Sequence, residues 1–128
     1  METAKKSRFK FLGYKILNST FKVEDKEVLD HQMQIEFEVK SMLNSDSNLF
    51  RLELISKISN KDNTIHIEVD IVGIFKFEKD IPEEMKENFF KCNAPALLFP
   101  YVRAYISSLT SLSGINPIIL PTINLSGK

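Results

Sequence analysis

Charge is almost missing from the last third of this 128-residue chain. From Cys92 to Gly127 the one charged side chain is Arg103, although 27% of the whole sequence is Asp, Glu, Lys or Arg. A single cysteine excludes an internal disulfide and any cluster of Cys ligands for a metal, so Cys92 reads as a small buried hydrophobe. The glycines, Gly13, Gly73, Gly114 and Gly127, stand apart, so there is no glycine-rich loop to cradle a phosphate. Long apolar runs are absent too. Pro95, Pro100, Asn116, Pro117 and Pro121 interrupt the uncharged stretch. Nothing approaches the roughly 18 to 20 apolar residues that a helix needs to cross a bilayer.

Net charge is zero but unevenly spread: residues 1–26 hold seven basic and three acidic side chains. Lys5, Lys6, Arg8, Lys10 and Lys15 would be the contacts of a nucleic-acid binder, yet no nucleic-acid motif accompanies them, and a solvated Lys-rich end is expected instead. Those lysines lead into an alternating segment and not into an apolar core of a signal peptide, so a cytoplasmic protein is expected.

What is present is alternation. Met33, Ile35, Phe37 and Val39 oppose Gln32, Gln34, Glu36, Glu38 and Lys40 across residues 31–43. Phe50, Leu52, Leu54 and Ile58 oppose Arg51, Glu53 and Lys57 across 49–59, and Ile65, Ile67, Val69, Ile71, Phe75 and Phe77 share one face across 64–78. Period two marks half-buried strands. The links Asn44–Asn48 and Asn60–Asn63 are short and rich in turn formers, which makes an antiparallel meander. An earlier strand over about 8–23 begins with Phe9 and Phe11 and breaks alternation at Leu12-Gly13-Tyr14, where a bulge is expected. Residues 24–30 form a charged crossing loop. At Ile71-Val72-Gly73-Ile74-Phe75 both faces become apolar, so the outer face also needs cover.

Asp80 offers an N-cap, Pro82 a first helical position, and Glu83 and Glu84 suit the dipole of a short helix through about Phe90. A second helix runs from near Asn93 to Gly114, with Pro100 kinking it or delaying its regular start. Leu98, Tyr101, Val102, Tyr105, Ile106, Leu109 and Leu112 form its apolar stripe; Ala104, Ser107, Thr110 and Ser111 form a small, uncharged opposite face. A surface helix would carry Lys and Glu there. One sheet covers one side of a helix, so sister subunits are expected on the other. Pro117 and Pro121 make the apolar Ile115–Leu125 tail extended, either lying along the sheet or lining a groove.

The run Asn93-Ala94-Pro95-Ala96-Leu97-Leu98-Phe99-Pro100-Tyr101-Val102-Arg103, followed by Ile106-Ser107-Ser108, resembles the long helix of the SecB family of export chaperones. Val72-Gly73-Ile74-Phe75 is similar to the end of that family's fourth strand, and Pro117–Leu125 to its Pro-rich tail, with about one residue deleted and Leu125 in place of Phe. The resemblance covers nearly the whole chain. It implies a single α+β domain over 1–128, with a four-stranded antiparallel sheet, a long helix on one face, and helices sandwiched between sheets in a homotetramer built as a dimer of dimers. It also implies an ATP-independent holdase for extended non-native polypeptides, without cofactor or metal, working with the translocase ATPase SecA or for an antitoxin client. The family's translocase-facing carboxylates fall here on Asn18 and Lys22, and only Glu68 keeps its charge, which weakens the expected attraction to SecA. Family members continue into a C-terminal helix and acidic tail, whereas this sequence stops at Lys128; it is either trimmed or a minimal relative.

Enzyme chemistry finds no foothold. His66, Glu68 and Asp70 share a strand face without a second set of ligands, His31 stands alone, and Ser107 and Ser108 lack a nucleophile elbow. The expected client-binding residues are Ile74, Phe75, Phe77, Phe89, Phe90, Leu98, Phe99, Tyr101, Ile118, Ile119 and Leu120. Phe89 and Phe90 draw attention because only one of two adjacent helical residues should face the sheet fully. The expected oligomer contacts are Tyr101, Tyr105, Ile106, Ser107, Leu109, Thr110 and Leu112. The competing reading is a non-catalytic adaptor or regulatory protein on the same fold, binding one folded partner.

Overall fold

The computed structural model describes residues 8–29 and 31–122. Lys5, Lys6, Gly127 and the 123–125 end of the tail lie outside the described residues. Four strands, β1 (Phe9–Val23), β2 (Met33–Asn44), β3 (Leu49–Asn60) and β4 (Ile65–Phe77), form one sheet in the order β1-β4-β3-β2. Every pairing is antiparallel, so the meander takes its expected shape and the crossing loop carries the chain from one edge strand to the other.

Alternation decides the two faces. Phe50, Leu52, Leu54 and Ile58 of β3 and Ile65, Ile67, Val69, Ile71 and Phe75 of β4 are buried on the inner face. Each such side chain withdrawn from water contributes about 1.5–3 kcal/mol. The hairpin turns rest on asparagines. Asn48 and Asn63 adopt left-handed φ of 56° and 57°, and the Asn44 side-chain oxygen accepts the backbone N–H of Asp46 at 3.1 Å. The β1 register slips between Phe11 and Gly13, with Gly13 at φ 138°, as the broken alternation anticipated, and slips again between Ile16 and Asn18, which it did not.

The helical layer differs from expectation. Pro82, not Asp80, takes the N-cap position of α1 (Glu83–Asn88), and no side chain caps it. α1 does not stop near Phe90. It passes without a break through a π-helical turn, Phe89–Asn93, into α2 (Ala94–Leu112), which holds Pro100 in its interior. In the π turn the Ala94 N–H reaches back five residues to the Phe89 carbonyl, which adds one residue to that turn. Both phenylalanines of this turn meet rings of the sheet. Phe89 stacks on Phe9 with ring centroids 3.9 Å apart, and Phe90 stacks on Phe50 at 3.9 Å. Only Phe89 is buried outright, while Phe90 stays half-buried, in line with the expectation that one of the two would face the sheet fully.

Along α2 the buried side chains are Ala94, Pro95, Leu98, Phe99, Val102, Ile106 and Thr110. Two expectations are corrected here. Leu112 is 88% exposed, because the stripe has rotated off the sheet by the last turn. Thr110 belongs to the core: its hydroxyl donates to the Ile106 carbonyl and accepts the Ile118 N–H, both at 2.8 Å, so burial leaves it satisfied. α2 settles on Gly73, where a Cβ would sit 3.0 Å from Leu98 Cδ1 and 3.3 Å from the Phe75 ring. Both neighbours are fully buried, so each would have to shift within the packed core.

Gly73→Ala is therefore expected to destabilise the fold by about 1–3 kcal/mol, and Gly73→Val by more. Urea unfolding checks it; an unchanged midpoint for both variants would show that α2 is not seated on this glycine.

Candidate functional site

The helical layer is narrower than the sheet it covers. β2, an edge strand, runs past it on both sides of the point where Phe37 meets Phe99 edge-on, ring centroids 5.5 Å apart. Two grooves result. One, of about 650 Å³, lies beside the second half of β2 and is lined by Val39, Ser41, Leu43, Phe50 and Leu52 from the sheet and by Glu87, Phe90, Lys91 and Pro95 from the helical layer. Val39 and Leu43 remain 46% and 43% exposed in it. The other, of about 520 Å³, lies beside the first half of β2, between Val28, His31, Met33, Ile35 and Ile65 on one side and the tail from Ile115 to Pro121 on the other. The crossing loop that walls it is pinned where Leu29 N–H donates to Asp62 Oδ2 at 3.1 Å and Glu24 N–H to the Thr64 carbonyl at 2.8 Å.

The residues expected to bind clients separate into groups. Phe75, Phe77, Phe89, Leu98, Phe99, Ile118 and Leu120 are buried within this one chain, since its own sheet and helices meet over them. Phe90 is half-buried and forms a wall of the larger groove. Tyr101, 39% exposed, stacks on Tyr14 at 4.3 Å, and Ile119 is 72% exposed. Ile74 is half-buried on the outer sheet face, opposite Gly13 and Arg51 in register. Among the expected oligomer contacts, Ile106 and Thr110 are core residues, and the Tyr105 hydroxyl donates to Ser19 Oγ of β1 at 2.8 Å. Ser107 and Leu109 are half-buried, and Leu112 is free. The outward face of α2, Leu97, Pro100, Tyr101, Ala104, Ser108, Ser111 and Leu112, is exposed and uncharged throughout.

Sequence reasoning missed the groove linings from β2 and β3, Val39, Leu43, Phe50 and Leu52, and those of the second groove from Val28 to Ile35. Val39 and Leu43 continue the apolar alternation of β2, but the alternation alone does not say that the helical layer leaves them uncovered. The outer face carries mixed charge: Glu68 lies 3.8 Å from Lys57 Nζ, while Asn18 and Lys22 sit opposite Asp70 and His66. Arg8 of the basic arm is bound to Glu78 at 2.9 Å. Among the described residues no helix is long and apolar enough to cross a membrane, and no three His, Cys, Asp or Glu are grouped to hold a metal.

A family model described as preprotein translocase subunit SecB matches residues 12–127. An uncharacterized protein of Methanocaldococcus jannaschii is 28% identical over 99% of this chain and 86% of its own length. The protein-export protein SecB of Orientia tsutsugamushi strain Boryong is 33% identical over 86% of this chain and 68% of its own. Among solved structures, the SecB-like chaperone of Mycobacterium tuberculosis, in complex with a ChAD peptide from the HigA1 antitoxin, superposes with a TM-score of 0.75. That match covers 91% of this chain and 88% of the other at 16% identity, which speaks for the fold.

One pair on the outer face has a defined pH response. Asp70 Oδ1 is buried without a hydrogen-bond partner, and burial, then a hydrogen bond to Glu53 and its charge, pushes the carboxyl up to about 6. Glu53 is held below its ordinary value, first by the hydrogen bond from Asp70 and then by Arg51, whose Nη1 lies 3.2 Å away. The native state thus keeps a proton on Asp70 that the unfolded chain has released, so this group's contribution falls as pH rises from about 4 through 6. Asp70→Asn, which keeps a donor for Glu53, is expected to melt above the wild type at pH 7.5, with the gap closing by about pH 4. A constant gap across that range in thermal melts would refute the shared proton.

Proposed function

Because the chain belongs to the SecB family, we propose that it is an ATP-independent holdase that keeps non-native polypeptides extended and apart by taking their apolar side chains into the grooves beside β2. The observation that carries this reading is the open groove of about 650 Å³ whose floor and walls are mostly apolar and whose lips, Val39 and Leu43, are half exposed. A soluble chain does not leave such a surface uncovered without a use. Each contact with a client is weak, and several grooves in one assembly raise avidity through effective concentration. A protein that binds the unfolded form of a client and not the native one holds it unfolded by mass action.

The assembly follows from the outward face of α2. Its uncharged stripe from Leu97 to Leu112 is the surface that a second copy covers, placing helices between two sheets. Clients are either precursors for export, as the names of the protein-export relatives imply, or an antitoxin, as with the peptide bound to the mycobacterial neighbour. Contact with SecA through Glu68 is weak, because Lys57 competes for that carboxylate and Lys22 stands nearby on β1. The protein acts in the cytoplasm and without catalysis.

Leu43→Asp changes a groove lip without touching the core, so it is expected to fold normally yet need about tenfold more protein to suppress aggregation of a denatured client, one apolar contact being worth about that ratio. Light scattering without nucleotide measures it; full activity in Leu43→Asp and in Phe90→Asp would remove the groove from the function, and an effect confined to one folded partner would favour an adaptor. By gel filtration the wild type is expected to elute at a multiple of one chain, and Ser108→Arg at a smaller size. A wild type that elutes as one chain at micromolar concentration would contradict the α2 interface.

A further inference from the structure

The tail beyond α2 has the chemistry of the ligand that the holdase reading assigns to these grooves. Ile115 to Thr122 is extended, uncharged and apolar, and its side chains alternate: Ile118 is 8% exposed, Ile119 72% and Leu120 1%. We propose that this segment is a built-in pseudo-client, a strap lying along the smaller groove that gives way when a non-native polypeptide enters. The inference rests on the holdase reading and adds a regulation to it.

Three observations carry the idea. Among the described residues the strap joins no strand, and hydrogen bonds to α2 side chains tie its backbone, from Ile118 N–H to Thr110 Oγ1 and from Arg103 Nε to the Leu120 carbonyl, both 2.8 Å. Segments tied so lightly open well before the whole fold does. A pivot stands at its root: Gly114 has φ 91°, and a Cβ there would meet nothing within 4 Å. And the strap borders a groove that is already open on its other side, against Met33 and Ile35. A client strand with alternating apolar side chains would fill the sockets of Ile118 and Leu120, so entry exchanges one extended apolar chain for another. Pro117 and Pro121 pre-order the strap, which makes it a ready competitor and sets a threshold that weak clients fail to pass.

Two variants loosen the strap while the opposite wall of the groove, from Val28, Met33, Ile35 and Ile65, stays as it is. Thr110→Val keeps the volume and removes the acceptor for Ile118 N–H; Arg103→Met removes the clamp on Leu120. Each is expected to bind a reduced, alkylated lactalbumin about three- to tenfold more tightly than wild type, because closure by the strap taxes the apparent affinity. On the wild type, where folding is not in question, the same polypeptide is expected to speed amide exchange across 115–122. Unchanged or weaker binding by both variants, or exchange that is unaltered or slowed, would overturn the strap while leaving the holdase reading intact. Absence of any binding to wild type would overturn both.

Discussion

Two stacked phenylalanine pairs, Phe9 with Phe89 and Phe50 with Phe90, hold the helical layer on the sheet. They join β1 at one edge and β3 near the other to two adjacent residues of a single turn. The π turn at Phe89–Asn93 lies where both contacts are made, and its extra residue resets the phase of α2 relative to α1. From that anchor α2 sets off across Gly73, where the missing side chain lets Leu98 reach the sheet. The line of the helix then fixes what stays covered and what does not.

What stays uncovered is the inner face of β2 on either side of Phe37. The four strands present more apolar width than one helical layer can shield, and Glu87 and Lys91 at the rim of the larger groove leave its apolar floor open. Instead it lays its own Pro-bounded tail over one exposed half and leaves the other open. The uncharged outward face of α2 repeats the imbalance on the far side of the helix. On the proposed reading, self-association and client capture share one origin, a third of the sequence with a single charge on 36 residues from Cys92 to Gly127.

Much of this was legible before the structure. The strands, the three-strand meander and the bulge at Gly13 follow from period-two alternation, its interruptions and the short turns, whereas the place of β1 beside β4 does not. The grooves were not legible in the same way. Val39, Leu43 and Phe50 read as ordinary strand interior, and only the registered pairing of Val39 with Leu54 and Leu43 with Phe50 puts them at the margin of the helix. Thr110 looked like a small outward residue, yet its hydroxyl pairs with Ile106 and Ile118 and so lies in the core. The family resemblance was carried by the α2 motif, where Leu98, Phe99 and Arg103 each perform a packing or clamping task that a helical wheel alone does not assign.

The most direct measurement is calorimetric titration of the full chain with a permanently unfolded polypeptide at several temperatures and without nucleotide. If apolar grooves do the binding, the heat-capacity change is negative and the affinity barely moves between low salt and about 0.5 M salt. Binding with no heat-capacity change that fades as salt rises, or no binding at all, would mean that the uncovered face of β2 is not what this protein uses.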